Sequence, residues 1–138
     1  MKKAMVFGTF DILHPGHIDF FRQAKKGVGY LIVVVARNHF VKKAKGVLPK
    51  NTEKKRVSAV RKLNIVDKAI LGSKKHDFYT TIRTYKPSVI ALGYDQKPYV
   101  RDLKKDLRRH QLRNISVIRL RPYRPNVFKS SLLANQNE

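Results

Sequence analysis

Residues 4–25 of the chain, AMVFGTFDILHPGHIDFFRQAK, contain the strongest signals of its fold. Ala4 to Phe7 is a short apolar run of the kind found in strands covered on both faces. Ile18, Phe21 and Ala24 recur at the spacing of one helical face. A strand that passes through a short loop, Gly8 to His17, into a helix predicts the start of a parallel α/β sheet.

The same alternation of strand and helix continues along the chain. Apolar runs rich in β-branched residues predict further strands at residues 31–35, 69–71, 89–92 and 115–120. Helical spacing between them is carried by three sets of residues: Val57, Val60 and Leu63; Phe78, Ile82 and Tyr85; and Val100, Leu103 and Leu107. We predict an α/β fold, a single doubly wound Rossmann-like domain over residues 1–138 with a five-stranded parallel sheet and a frayed tail at residues 134–138.

This fold predicts where a ligand binds. In open parallel sheets, ligands lie beyond the carboxyl ends of the strands. The segments that reach this edge are residues 8–17, 36–46, 93–98 and 121–131. Candidate site residues are therefore expected in these four segments.

Charge and composition narrow the class of partner. Thirty-one Lys and Arg against nine Asp and Glu give a formal net charge of +22, and there is no cysteine. Such a field concentrates anions, but it suits a nucleic-acid-binding module as well as an enzyme of nucleotides. No apolar run approaches the length of a membrane span and no leader peptide is recognisable, so we predict a cytoplasmic protein without a membrane partner.

The loop after the first strand has the residues that phosphate chemistry needs. Pro15 suits the first turn of a helix, and Gly16 allows a phosphate to approach the backbone closely. His14 and His17 can both donate hydrogen bonds to one phosphoryl group, which stabilises attack by a phosphate on the α-phosphate of a nucleoside triphosphate without a protein nucleophile. The alternative is a polar pair satisfied by nearby backbone. A structural zinc site is not expected, because the remaining histidines form no ligand spacing with this pair.

Two motifs in this loop resemble those of a known family. Gly8-Thr9-Phe10-Asp11 followed by His14-Pro15-Gly16-His17 is similar to the G-[TS]-F-D and H-x-G-H signature of the cytidylyltransferase-like nucleotidyltransferases. The likeness extends from Lys3 to about Leu133. It implies the HxGH nucleotidyltransferase fold and transfer of a nucleotide monophosphate to a phosphorylated acceptor, with release of pyrophosphate.

Within that family, several stretches resemble the archaeal FAD synthases, which transfer AMP from ATP to FMN. These stretches are residues 33–37 (VVVAR), 69–72 (AILG) and 91–96 (ALGYDQ), together with the lysines that precede Gly46. Glycerol-3-phosphate cytidylyltransferases typically have Gly-Asp-Asp-Trp in place of Gly93-Tyr94-Asp95-Gln96. The resemblance implies ATP and FMN as substrates, Mg2+ or another divalent cation as cofactor, and a homodimer.

The same resemblance assigns residue roles. His14 and His17 would contact the triphosphate and its transition state, and Lys43 would neutralise phosphate charge; these three are the candidate catalytic residues. Asp95 would hold the ribose or base, and Tyr123 would stack near the base. The full set of implied nucleotide-binding residues is Gly8, Thr9, Phe10, His14, Pro15, Gly16, His17, Arg56, Gly93, Asp95, Tyr123, Ser130 and Ser131.

Asp11 is a candidate ligand for a Mg2+ ion that travels with the triphosphate, and its alternative roles are to orient His17 or to cap the turn. Two positions depart from the family pattern. Asn38 stands where the family usually has an acidic residue after the second strand. The closing arginine-led motif is degraded, so that either Arg124 or Lys129 supplies its positive charge before Ser130 and Ser131.

We predict from these features a nucleotidyltransferase that makes FAD and pyrophosphate from ATP and FMN. The first alternative is a CTP-dependent cytidylyltransferase that acts on glycerol 3-phosphate or a similar alcohol phosphate. A more distant alternative is a basic nucleic-acid-binding module in which the loop Gly8 to His17, the histidine loop, is inactive. Such a module would lose affinity for duplex DNA steeply as salt rises. Nucleic acid is not expected as a partner of the enzyme.

Overall fold

A computed structural model describes residues 2–75, 77–96 and 100–123 of the chain. Strands and helices alternate in the following order: β1 Ala4–Gly8, α1 Pro15–Lys25, β2 Leu31–Val35, α2 Asn38–Lys45, α3 Glu53–Arg61, β3 Lys68–Leu71, α4 Phe78–Tyr85, β4 Val89–Leu92, α5 Val100–Arg109 and β5 Ser116–Arg119. Every strand pairing is parallel, and the order across the sheet is β3-β2-β1-β4-β5. The predicted α/β fold with a five-stranded parallel sheet is confirmed.

Apolar side chains from the two faces of the sheet form two cores. Ala4 and Val6 of β1 face the core formed with α1 and α3, where Phe21 and Val60 are buried. The intervening Met5 faces the other core, formed with α4 and α5. Because side chains alternate along a strand, helices can cover both faces, as the doubly wound prediction requires.

Three features differ from the sequence-based expectation. α2 was not predicted, because in residues 38–45 only Val41 is buried and the helix has too few apolar residues to show a stripe. α3 ends at Arg61, before Leu63. β5 is not covered on both faces: it is an edge strand, and Ser116 and Ile118 are exposed.

The strand order reverses between β1 and β4, because the chain runs outward from β1 to β3 and then returns to start β4 beside it. The carboxyl ends of these two strands are Gly8 and Leu92, from which the histidine loop and the segment starting at Gly93 depart. A crevice at such a point is where this class of sheet binds ligands. Within the described residues, no helix is long and apolar enough to cross a membrane.

Candidate active site

His14 and His17 form a stacked pair at the start of α1. Their ring centroids are 3.9 Å apart and the rings are inclined by 25°. His14 is the N-cap of the helix: its Nδ1 accepts from the N–H of Gly16 at 3.1 Å, while Nδ1 of His17 accepts from the N–H of His14 at 3.3 Å. Pro15 occupies the first helical turn, as its missing N–H led us to predict. The structure thus brings both histidines to the positive end of a helix dipole.

These hydrogen bonds fix the tautomer of each ring. Because both Nδ1 atoms accept backbone N–H groups, each neutral imidazole carries its proton on Nε2. Burial and the neighbouring His14 lower the pKa of His17 to about 4, and desolvation also lowers the pKa of His14. Both rings are therefore neutral near pH 7, and each keeps an N–H donor at Nε2.

We expect the depressed pKa of His17 to make the fold less stable in acid. The unfolded chain binds a proton at His17 near pH 6.5, whereas the folded chain does so only near pH 4. Stability should fall as pH drops through this window, and less so in His17→Gln, which has no titratable ring. Urea unfolding midpoints at pH 7 and pH 5 measure this difference, and an equal loss in both proteins would contradict the depressed pKa.

Phe10 packs against the histidine pair from the core of the protein. It adopts a left-handed backbone conformation, with φ of 51°, that is uncommon for a bulky residue. This conformation sends its ring into the core, where Phe10 is 6% exposed and packs edge-on against His17 with centroids 5.4 Å apart. Phe10 was expected to line the nucleotide site. In the structure its ring lies in the core behind the loop, in the direction that the left-handed backbone gives it.

Two glycines keep the loop close to its neighbours. A β-carbon at position 8 would lie 2.6 Å from the ring of Phe10, and one at position 16 would lie 2.8 Å from Cε1 of His14. That same β-carbon would lie 3.7 Å from Cδ2 of Tyr123, which places the ring of Tyr123 beside Gly16. The predicted site residues Gly8, Gly16 and Tyr123 are therefore brought together around the histidine pair.

Arg56 is 1% exposed and holds the carboxyl ends of β1 and β2 together. Its Nη1 donates to the carbonyls of Thr9 and Ala36 at 2.8 and 2.7 Å, and its Nε donates to the carbonyl of Asn51 at 3.1 Å. Its Nη2 donates to Oδ1 of Asn38 at 2.6 Å. These bonds use four of the five guanidinium donors. Arg56, expected among the nucleotide-binding residues, is buried behind the loops, where its bonds join their backbones.

Asn38 and Asp11 also form hydrogen bonds that link the loops around Arg56. Asn38, the departure from the family's acidic residue, accepts from Arg56 and donates its N–H to Glu53 at 2.8 Å. The carboxylate of Asp11 accepts from the backbone N–H groups of Lys50 and Asn51 at 2.7 and 2.9 Å. Although burial alone raises it, these hydrogen bonds hold the pKa of Asp11 below its usual value. Asp11, the candidate Mg2+ ligand, anchors the segment between α2 and α3.

The lysines of α2 differ in their positions. Lys43 is exposed and lies two residues from the buried Val41, which puts it on the opposite face of the helix. Lys45 lies four residues from Val41, and its Nζ is 3.3 Å from Oγ1 of Thr9. The structure thus brings Lys45, rather than the expected Lys43, to the histidine loop.

Gln96 closes the other side of the site. Its Oε1 accepts from the N–H of Gly93 at 2.7 Å, and its Nε2 donates to the carbonyl of Phe7 at 2.9 Å, so that it joins the ends of β4 and β1. Nη1 of Arg119 donates to the carbonyl of Gly93 at 2.7 Å from β5. Asp95 is exposed in this segment, and Tyr94 is 59% exposed.

Some predicted residues lie outside the described part of the chain. They are Arg124, Lys129, Ser130 and Ser131, the residues of the closing phosphate motif. Sequence reasoning also missed several residues that link the loops, namely Arg37, Lys45, Asn51, Glu53 and Arg119. Lys45 donates to the hydroxyl of Thr9, and the other four donate to or accept from backbone groups across the loops. No motif marks a residue that is needed for such bonds. The described residues contain no group of three or more His, Cys, Asp or Glu that could hold a metal ion.

Comparison with known proteins extends this description. A cytidylyltransferase-like family model matches residues 5–136. The chain is 46% identical over 122 residues to the FAD synthase of Archaeoglobus profundus, covering 88% of this chain and 76% of that protein. It is 47% identical over 118 residues to the FAD synthase of Archaeoglobus fulgidus, covering 85% and 82% of the two chains.

One solved structure has the same α/β architecture over nearly the whole length of both chains. The crystal structure of a lipopolysaccharide core biosynthesis protein from Thermoplasma volcanium superposes with a TM-score of 0.85 at 35% identity. The match covers 90% of this chain and 99% of the other. The motifs, the sheet order and these likenesses agree. The chain belongs to the cytidylyltransferase-like family, alongside the archaeal FAD synthases.

Proposed function

We propose that this protein is a nucleotidyltransferase that transfers AMP from ATP to FMN and releases FAD and pyrophosphate. The observation that carries this proposal is the stacked pair of neutral histidines at the N-terminus of α1, located where the sheet order reverses. The choice of substrates is supported by relatives that are FAD synthases and are 46% and 47% identical to this chain.

The chemistry follows from the donors of the pair. A phosphate oxygen of FMN attacks the α-phosphorus of ATP, the new P–O bond forms as the bond to the β-phosphate oxygen breaks, and pyrophosphate leaves with the electron pair. Nε2–H groups of His14 and His17 donate to the oxygens on which charge builds up. Both rings are already neutral and fixed by backbone hydrogen bonds, so little reorganisation is needed during the reaction. No protein nucleophile takes part.

The two substrates would enter from different sides of the loop. On the β4 and β5 side, we assign Gly93 and Asp95 to the ribose or base and Tyr123 to the base. Tyr123 suits this role because its ring lies beside Gly16. Ser130 and Ser131 remain our candidates for the β- and γ-phosphates. The β2 side is then open to FMN.

In this proposal a divalent cation enters the site bound to the phosphates of ATP. The described residues do not form a metal cage, and Asp11 already accepts N–H bonds from the segment that it anchors. Mg2+ commonly keeps several waters and is held largely by substrate phosphates. We therefore derive no step through a protein-bound metal. The homodimer and the cytoplasmic location remain predictions from the sequence.

A substrate panel tests the proposal. The purified protein with Mg2+ should convert ATP and FMN into FAD, and it should release one pyrophosphate for each FAD. ATP and CTP are each paired with FMN, glycerol 3-phosphate and phosphoethanolamine, and products are separated by chromatography. Consumption of CTP with an alcohol phosphate, and none of FMN, would instead make the protein a cytidylyltransferase.

A further inference from the structure

Apolar side chains are exposed beside the histidine loop. The described residues expose five large hydrophobic side chains. Of these, Ile12 lies in the loop itself, and Val47 and Leu48 lie between α2 and α3, in the segment that Asp11 of the loop anchors. They are 56%, 65% and 57% exposed. A single exposed apolar residue needs no explanation, but a group of them next to a reaction site indicates a binding surface.

Hydrogen bonds hold the two segments that carry these side chains side by side. Lys45 contacts Thr9 at one end, and Asp11 accepts from Lys50 and Asn51 at the other. Nδ2 of Asn51 also donates to the carbonyl of Asp11 at 2.7 Å. Val47 and Leu48 lie in the chain between these two hydrogen-bonded ends, and Ile12 directly follows Asp11. The three side chains therefore belong to one anchored surface, which we name the apolar shelf.

The apolar shelf adjoins a cluster of positive charge. Lys42, Lys43 and Lys45 precede it in α2, and none of them forms a salt bridge within the described residues. The nearby carboxylate of Glu53 is taken by Arg37 and by the N–H of Asn38. A ligand that fits both features has a flat apolar body and a dianionic end.

We propose that the apolar shelf is the binding site of the isoalloxazine ring, with Lys45 as the contact of the FMN phosphate. This inference rests on the proposed function, which leaves the β2 side of the loop to the acceptor. FMN has the required chemistry, since its flat ring system ends in an apolar dimethylbenzene portion and its phosphate carries the negative charge. With the phosphate at Lys45, which touches the histidine loop, the ring would extend over Leu48. Leu48 and Ile12 then select a flavin over a small alcohol phosphate.

Flavin binding without ATP separates the two contacts. Quenching of flavin fluorescence measures the affinity for FMN and for riboflavin, which lacks the phosphate. We expect Leu48→Ser to weaken binding of both flavins about tenfold, because apolar contact area is lost. Lys45→Met should weaken FMN about tenfold and leave riboflavin unchanged. Ile118→Ser, a matched loss of an exposed apolar residue on β5, should bind both flavins as the wild type does.

The results of these binding measurements separate failure of the apolar shelf from failure of the proposed function. If Leu48→Ser binds both flavins as the wild type does, or if the wild type shows no saturable riboflavin binding, the assignment of the apolar shelf is wrong. If Leu48→Ser changes the sedimentation coefficient but not flavin binding, the apolar shelf is an interface between copies of this chain, which also overturns the proposal. FAD formation by the wild type is measured in parallel. Its absence would mean that the proposed function has failed, whereas FAD formation with unaltered flavin binding in Leu48→Ser would reject only the apolar shelf.

Discussion

Replacement of His17 by alanine is expected to lower kcat by about two to three orders of magnitude, the usual cost of removing one donor to a developing charge. The affinity for ATP should change little, because the Nε2–H of His17 matters most when charge builds up on the α-phosphate oxygens. Steady-state kinetics of FAD formation and equilibrium ATP binding measure the two effects separately.

The control for this variant is His39→Ala, which removes an exposed imidazole from α2. It should leave kcat within about twofold of the wild type, as expected for an exposed side chain that contacts no substrate. A loss of only a few-fold in His17→Ala would make His17 a structural residue that accepts the N–H of His14. Equal losses in ATP affinity and turnover would show that it acts on the bound ground state alone.

Arg56→Lys is expected to destabilise the fold by about 3 kcal/mol and to lower activity strongly. Lysine keeps the charge, but it cannot donate simultaneously to the carbonyls of Thr9, Ala36 and Asn51 in the planar geometry that the guanidinium provides. Buried carbonyls would lose their partners, and the ends of β1 and β2 would no longer be joined. Urea denaturation measures the free energy of unfolding.

Arg61→Lys is the matched control in the same helix. Arg61 is exposed and donates one bond, to the carbonyl of Ala69 at 2.9 Å. Its replacement should cost less than about 1 kcal/mol. Similar losses for the two variants would contradict the positioning role of Arg56. A stable Arg56→Lys protein with weakened ATP binding would return Arg56 to direct contact with the nucleotide.

The order of the elements could be predicted from the sequence because buried parallel strands leave a strong signal. Leu31–Val35 is apolar throughout and buried at every position. The helix α2 left no such signal, since Val41 is its only buried residue and lysines fill its last turn. Edge strands were also misjudged, because the run at residues 115–120 does not reveal which face of β5 lacks a cover.

In the site, too, some residue positions could be predicted from the sequence and others could not. Local signals placed His14, Pro15 and Gly16 at a helix start, since proline and glycine constrain the backbone in known ways. The positions of Phe10 and Arg56 depend on contacts between segments distant in the chain. Phe10 turns into the core because of its left-handed φ, and Arg56 reaches carbonyls up to 47 residues away. Sequence motifs marked both residues but could not show where either side chain lies.

The hydrogen bonds of Gln96 explain one residue of the stretch that resembles the archaeal FAD synthases. The stretch ALGYDQ matched the archaeal FAD synthases, and the structure shows that Gln96 joins the ends of β1 and β4 through Phe7 and Gly93. A tryptophan at this position would have no acceptor oxygen for the N–H of Gly93. The glutamine therefore distinguishes this loop from the cytidylyltransferase version by a specific pair of hydrogen bonds.

Direct transfer of AMP from ATP to FMN at the histidine pair can be followed through the α-phosphate. The reaction contains ATP labelled at that position, Mg2+ and FMN. We expect the label to appear in FAD, in amounts equal to the pyrophosphate released, and no label to remain on the protein after quenching in alkaline detergent, which preserves a bond between phosphorus and histidine nitrogen. Label bound to the protein, or ATP consumed without any labelled flavin, would contradict direct transfer.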